Sequence, residues 1–263
     1  MLPPRLTSVE AKGFKGEPAR IGGRASAKAG ITRLSKRDFK AIFFDLDGTL
    51  VDIHGPLYIA ARNTLRDFGQ EPELTRERYD LALATGELWL GIPDDKRPEY
   101  MKRAFAHFMA VIARNGRLEL LPHVPEALAE IKRRGYATAV ITSRPGDAQA
   151  LAHKLAEAGI ARLLDQIVTQ TASSMKEMLD KTELLRQTAA RAAVETRECI
   201  YVGDEPRDIM AADEAGYGAS VAVATGTASV HYLQNHPNFR PDHVIESMGE
   251  LIGLLDRIAR RRS

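Results

Sequence analysis

The sequence holds one cysteine, Cys199, and one tryptophan, Trp89, in 263 residues. A lone cysteine excludes an intramolecular disulfide and a cysteine-cluster metal site, and it suits a reducing compartment. No apolar run approaches the roughly 18 residues that a membrane-spanning helix needs, so no membrane partner is expected. The N-terminal region also lacks the apolar core of a secretory signal. The histidines His54, His107, His123 and His153 show no metal-ligand spacing and read as surface or core-edge residues. What remains is 44% hydrophobic and 27% charged, and the length is enough for a sizeable core plus one inserted or appended unit.

Charge is unevenly spread. Residues 1–40 carry ten Lys and Arg against Glu10, Glu17 and Asp38, a net of +7, so the remainder of this +2 chain carries −5. Residues 1–37 hold five glycines, three prolines and a single aromatic, Phe14, without an apolar stripe. Such a segment buries too little surface to offset its ordering entropy and is expected to be disordered. It reads as a dispensable extension, an organelle-targeting peptide or a tail for an acidic partner. A cytoplasmic location is expected, with organelle targeting left open.

From residue 41 strands and helices alternate. Ala41–Asp45, Tyr136–Ile141, Gln166–Thr169, Cys199–Gly203 and Ala219–Ala224 are short apolar runs suited to buried strands. Helical patterns between them end at Gly135, Gly159 and Gly216, and Pro125 and Pro206 stand near two of their starts. This grammar predicts an α/β fold with a doubly wound parallel sheet. Residues 53–119 break the alternation. Helices are predicted over Pro56–Phe68 and Tyr100–Arg114, so an α-helical insert follows the first strand. The stripe of Phe105, Phe108 and Met109 is expected in the insert's core, as is Trp89, with Asp94-Asp95-Lys96-Arg97 as a solvated loop. The expected division is an extension over 1–37, a core domain over 38–52 and 120–263, and a helical domain over 53–119.

Asp45-Leu46-Asp47-Gly48-Thr49-Leu50 closes the first strand. In open α/β sheets ligands bind beyond the carboxyl ends of strands, so two acids one residue apart stand where chemistry is expected. Thr142-Ser143 ends the second strand, and Gly203-Asp204-Glu205-Pro206-Arg207-Asp208 ends a later one. Lys181 opens a helical segment 23 residues before Asp204. A parallel sheet brings these positions to one edge. Oxygen-only acidic ligands with a hydroxyl and an ammonium suit Mg²⁺ and a phosphate.

These motifs make the chain resemble the haloacid dehalogenase-like hydrolases. DLDGTL at 45–50, ITS at 141–143, Lys181 and GDEPRD at 203–208 are similar to the family's four motifs in order. The similarity spans about residues 40–260, and its nearest flavour is the phosphoglycolate phosphatase-like branch. The resemblance implies a Rossmann-like core with a C1-type helical cap and a Mg²⁺-dependent phosphatase acting on a small phosphorylated metabolite. It further implies that Asp45 is the nucleophile and Asp47 the acid and base. Asp45, the Asp47 backbone carbonyl, Asp204 and Asp208 would hold the metal. Thr142, Ser143 and Lys181 would hold the phosphoryl group, with Gly48, Thr49 and Arg144 also at the substrate. Lys176 competes with Lys181, which begins the better helix, and Asp208 could instead cap its helix.

Asp47 points to phosphoester chemistry, because dehalogenases and phosphonatases of this family lack that acid. The resemblance places a histidine of the mutase branch where Leu57 stands, and His54 is offset from it, so mutase chemistry is disfavoured. Asp52 is common in the family, whereas Ile53 replaces the small polar residue that often follows. The rivals are another phosphatase substrate class (nucleotide, sugar phosphate or pyrophosphate) and a non-catalytic regulator binding nucleic acid through the basic arm. Nucleic acid is not the expected partner, because the acidic and phosphate-binding set is intact.

Overall fold

A computed structural model describes residues 39–70, 73–85, 89–114, 116–170 and 180–260. The chain divides into two units, Met1–Ser35 and Lys36–Ser263, and all the described residues belong to the second. The extension over 1–37 and Lys176 lie outside them.

Six parallel strands form one sheet in the order β3-β2-β1-β4-β5-β6. They are β1 (Ala41–Phe44), β2 (Ala137–Pro145), β3 (Gln166–Gln170), β4 (Cys199–Gly203), β5 (Ala219–Val223) and β6 (His243–Ile245). All four residues of β1 and all five of β4 are buried, as a parallel sheet covered on both faces requires. Alternate side chains feed two apolar layers. Ile42 and Phe44 join Leu128, Ile131, Leu155 and Leu254 on one face. Ala41 and Phe43 join Leu185, Ala189, Ala212 and Tyr217 on the other.

Six of the helices cover the sheet or its ends: α4 (Val124–Arg133), α5 (Ala148–Glu157), α6 (Thr182–Arg191), α7 (Pro206–Ala215), α8 (Val230–Asn235) and α9 (Leu251–Arg260). α9 buries Leu251, Leu254 and Leu255, the spacing of one helical face. α7 has proline in its first turn and ends at Gly216, whose φ of 81° is the left-handed conformation that glycine adopts cheaply.

Residues 54–114 contain only helices among the described residues: α1 (His54–Asp67), α2 (Arg76–Thr85) and α3 (Arg97–Arg114) with a short 3₁₀ turn before α3. They enclose their own apolar cluster, including Ala61, Leu65, Leu74, Tyr79, Ile92 and Tyr100. The chain leaves and rejoins the sheet domain along adjacent paths. Leu121 N–H donates to Leu50 O at 3.0 Å and Asp52 N–H to Glu119 O at 2.8 Å.

Several boundaries differ from the sequence reading. α1 starts at His54 because the Asp52 carboxylate accepts the His54 N–H at 2.8 Å. α3 starts at Arg97, with Pro98 in its first turn where a missing N–H costs nothing. α2 and β6 were not anticipated. β2 runs on through an irregular register between Ile141 and Pro145, so Thr142, Ser143 and Arg144 lie within the strand and not after it. Phe105, Phe108 and Met109 are only half-buried and lie outside the insert's cluster, contrary to their expected core role. Trp89 packs against that cluster, with the Arg97 guanidinium 4.8 Å from its ring centroid. Among the described residues no helix is long and apolar enough to cross a membrane.

Candidate active site

The strand order reverses at β1, which pairs with β2 on one side and β4 on the other. That reversal opens a crevice at the carboxyl edge of the sheet. Asp45 follows β1, and its N–H still donates to Val202 O of β4 at 2.9 Å. The ladder therefore fixes Asp45 at the crevice, and Asp204 follows β4 beside it. Asp208 stands one helical turn into α7, and Lys181 precedes the first residue of α6.

These four residues meet in the interior, each at 5% exposure or less. One carboxylate oxygen from each of Asp45, Asp204 and Asp208 lies within 4.8 Å of the others. The Lys181 ammonium donates to Asp45 and, at 2.8 Å, to Asp208. The second Asp208 oxygen accepts the Glu205 N–H at 3.1 Å, and Asp204 accepts the Thr49 hydroxyl at 3.1 Å. Asp208 thus caps its helix and faces the cluster at once.

Three acids share one ammonium, and the titration behaviour reflects that surplus. Burial pushes the Asp45 carboxyl up to about 7; Asp208 and Asp47 add to the shift while Lys181 opposes it. Burial, then Asp45 and Asp208, holds Asp204 well above the usual carboxylate range. For Lys181 burial works against the charge, but Asp208 and Asp45 outweigh it and raise its pKa. A cation among these oxygens would relieve the surplus.

The backbone closes tightly around the acids. A Cβ on Gly48 would lie 2.4 Å from Asp204 Oδ2, and one on Gly203 would lie 2.5 Å from Asp208 Cβ. Gly48 also has a φ of +79°. An all-oxygen donor set in a shaped cradle fits a hard divalent cation.

The phosphate-binding candidates sit on β2. Thr142 is buried, and its hydroxyl accepts the Arg144 N–H at 3.1 Å. Ser143 Oγ is buried with no hydrogen-bond partner among the described residues, so it awaits one. Asp47 stands apart from the acidic trio. Its carboxylate is gripped by the Arg144 guanidinium, with Nε 2.7 Å from Oδ2 and Nη2 on Oδ1.

Gly48 and Thr49 support the neighbouring acid Asp204 and the loop after β5. The Gly48 N–H donates to Val51 O at 2.9 Å, and its carbonyl accepts the Thr225 hydroxyl at 2.6 Å. Thr49 is fully buried with its hydroxyl spent on Asp204. Both shape the Asp204 cradle, with the Gly48 N–H and the Thr49 hydroxyl already engaged.

Sequence reasoning missed the loop after β5. Thr225 ties down Gly48 and accepts His54 Nε2 at its carbonyl, 3.1 Å away. The signal was a small polar run, Thr225-Gly226-Thr227, at a strand's carboxyl end. It also missed Tyr201 of β4, fully buried with its hydroxyl donating to Ile141 O at 3.4 Å. Burial raises that phenol's pKa steeply, so it remains neutral near Lys181.

A sequence model described as haloacid dehalogenase-like hydrolase matches residues 39–216. The chain belongs to that family. The pyrophosphatase PpaX of Bacillus velezensis is 30% identical over 81% of this chain and 94% of its own. The N-acetylmuramic acid 6-phosphate phosphatase of Pseudomonas aeruginosa is 27% identical over 85% of this chain and 98% of its own. A phosphoglycolate phosphatase of Haemophilus influenzae is 27% identical over 82% and 98%. A solved haloacid dehalogenase-like hydrolase from Streptococcus pneumoniae superposes with a TM-score of 0.61, covering 83% of this chain and 99% of that one at 20% identity. That last likeness shows the fold of the family's Rossmann-like core.

Proposed function

We propose that this hydrolase is a Mg²⁺-dependent phosphatase of small phosphorylated metabolites, with phosphoglycolate the first substrate to test. The buried Asp45–Asp204–Asp208 trio with a single lysine to balance it is the observation that carries this reading. Asp45, the Asp47 backbone carbonyl and Asp204 would hold Mg²⁺, with Asp208 in support. The ion supplies charge neutralisation that lets an anionic carboxylate approach an anionic phosphate.

The protein's own groups do the rest. An Asp45 oxygen bonds to phosphorus as the bond from phosphorus to the leaving oxygen breaks, and Asp47 hands its proton to that oxygen. Water then attacks the aspartyl-phosphate, Asp47 takes the water's proton, and Asp45 is released with inorganic phosphate. Thr142, the Ser143 backbone and Lys181 hold the phosphoryl oxygens as charge builds on them. Arg144 lies at the leaving-group side through its contact with Asp47. Residues 53–119 act as the cap that excludes water and selects substrate. Residues 1–37 contain none of these groups, and the enzyme is proposed to work in the cytoplasm.

The relatives' names favour phosphoglycolate, with pyrophosphate as the second substrate to try. The test is hydrolysis of p-nitrophenyl phosphate, phosphoglycolate and pyrophosphate with and without Mg²⁺. Turnover that needs Mg²⁺ and disappears in Asp45→Asn is the expected result. Activity indifferent to both would overturn the reading.

A further inference from the structure

The two strands that carry the chemistry repeat one offset. Asp45 and Asp47 are two residues apart after β1; Thr142 and Arg144 are two residues apart on the neighbouring β2. The first member of each pair is buried, and the second members grip one another as carboxylate and guanidinium. The Asp47–Arg144 pair lies two residues beyond the proposed nucleophile and phosphoryl-binding threonine, where the phosphatase reading puts the general acid.

This pair has a chemical cost. A fork of two charge-assisted hydrogen bonds occupies both Asp47 oxygens, and neither partner is freely solvated, with side-chain exposures of 19% and 13%. Asp47 in that grip only accepts hydrogen bonds and has no proton to offer a leaving oxygen. A guanidinium has five N–H groups, and only a competing anion matches the two now given to Asp47. Arg144 also lines a cleft of about 180 Å³ with Met109 and Ile112 of α3 and Leu151 and Lys154 of α5. That is room for a few atoms, below the roughly 300 Å³ of sites for larger organic ligands.

We propose that Arg144 is a substrate-released latch. It holds Asp47 in the resting enzyme and lets go when a second anionic group on the substrate takes its place. The substrate class is thus a small phosphoester or phosphoanhydride bearing a carboxylate or second phosphoryl group next to the scissile bond. The inference rests on the phosphatase reading and adds a positioning role and a specificity rule to it. The substrate's second anion takes the guanidinium, the freed Asp47 carboxylate picks up a proton from water and turns to the leaving oxygen, and acid catalysis becomes conditional on the correct substrate. Substrates without that group leave Asp47 restrained.

The test compares phosphoglycolate with 2-hydroxyethyl phosphate, which lacks the carboxylate, in the full chain with Mg²⁺. The wild type should favour phosphoglycolate in kcat/KM by about 10- to 100-fold, the range for hydrogen bonds to charged groups. Arg144→Gln should erase that preference, chiefly through a higher KM for phosphoglycolate, while kcat for 2-hydroxyethyl phosphate rises because Asp47 is freed. Arg144→Lys, which keeps the charge but not the fork, should retain part of the preference and guards against a folding defect in the glutamine variant. Equal losses on both substrates, or a preference that survives Arg144→Gln, would overturn the latch. Calorimetric binding of both compounds to Asp45→Asn, with and without Arg144→Gln, separates the two ideas. Arg144-dependent selective binding upholds the second-anion site even if no phosphoester is turned over, whereas its absence removes the site whatever the turnover.

Discussion

A methyl group on Gly226 would lie 1.8 Å from Asp204 Oδ2. The loop after β5 is therefore pressed against a carboxylate that follows β4, and backbone occupies the space a side chain would need. Gly226→Ala should push Asp204 out of line and weaken Mg²⁺ binding by about tenfold or more, the scale of a disturbed supporting contact to a metal ligand. Mg²⁺ titration of the melting temperature reads this directly. An unchanged midpoint would show that the loop yields.

Lys181 is the only ammonium bonded to the acidic trio among the described residues. Lys181→Met leaves Asp45 and Asp208 buried without their cation and should cost about 3–5 kcal/mol in metal-free urea unfolding. Mg²⁺ should restore part of that loss without restoring activity. Equal stability of the variant and the parent would refute the account of the cluster's charge balance.

Without metal, stability should rise as pH falls from 8 to 5. The Asp45 carboxyl is pushed up to about 7 by burial, against roughly 3.9 in an unfolded chain. Between those values the folded state binds a proton that the unfolded state does not, so acidification favours folding by at most about 1.4 kcal/mol per pH unit for each such group. Asp204 is raised in the same direction. Saturating Mg²⁺ should flatten the slope, and a metal-free slope of the opposite sign would contradict this assignment.

Burial raises the Cys199 thiol to about 12, with Glu198 adding to the shift. Almost no thiolate exists at pH 8, so the native protein should resist an aromatic disulfide reagent for hours and react promptly in urea. Fast native labelling would show that the edge of β4 opens.

The sheet was legible because buried parallel strands read as unbroken apolar runs, as in Ala41–Phe44 and Cys199–Gly203. The acids were legible because Asp45 and Asp204 follow two of those runs. β6 escaped because three residues at a sheet edge carry too little pattern, and α2 because Arg76–Thr85 has almost no apolar face. Phe105, Phe108 and Met109 show the limit of periodicity: it identifies an apolar face but not what covers it. The roles of Gly48 and Thr49 could not be read locally, since both depend on Asp204 and Thr225, more than 150 residues away. The Arg144–Asp47 grip spans 97 residues and follows from strand adjacency, which no single motif encodes.

The helical insert departs through Leu50–Asp52 and returns through Glu119–Leu121, stitched together by two hydrogen bonds. Its ends are already side by side, so the length of what lies between them has little bearing on closing the loop. The seam makes the insert an exchangeable module. Helices could be added, trimmed or swapped there while the buried acids stay where they are.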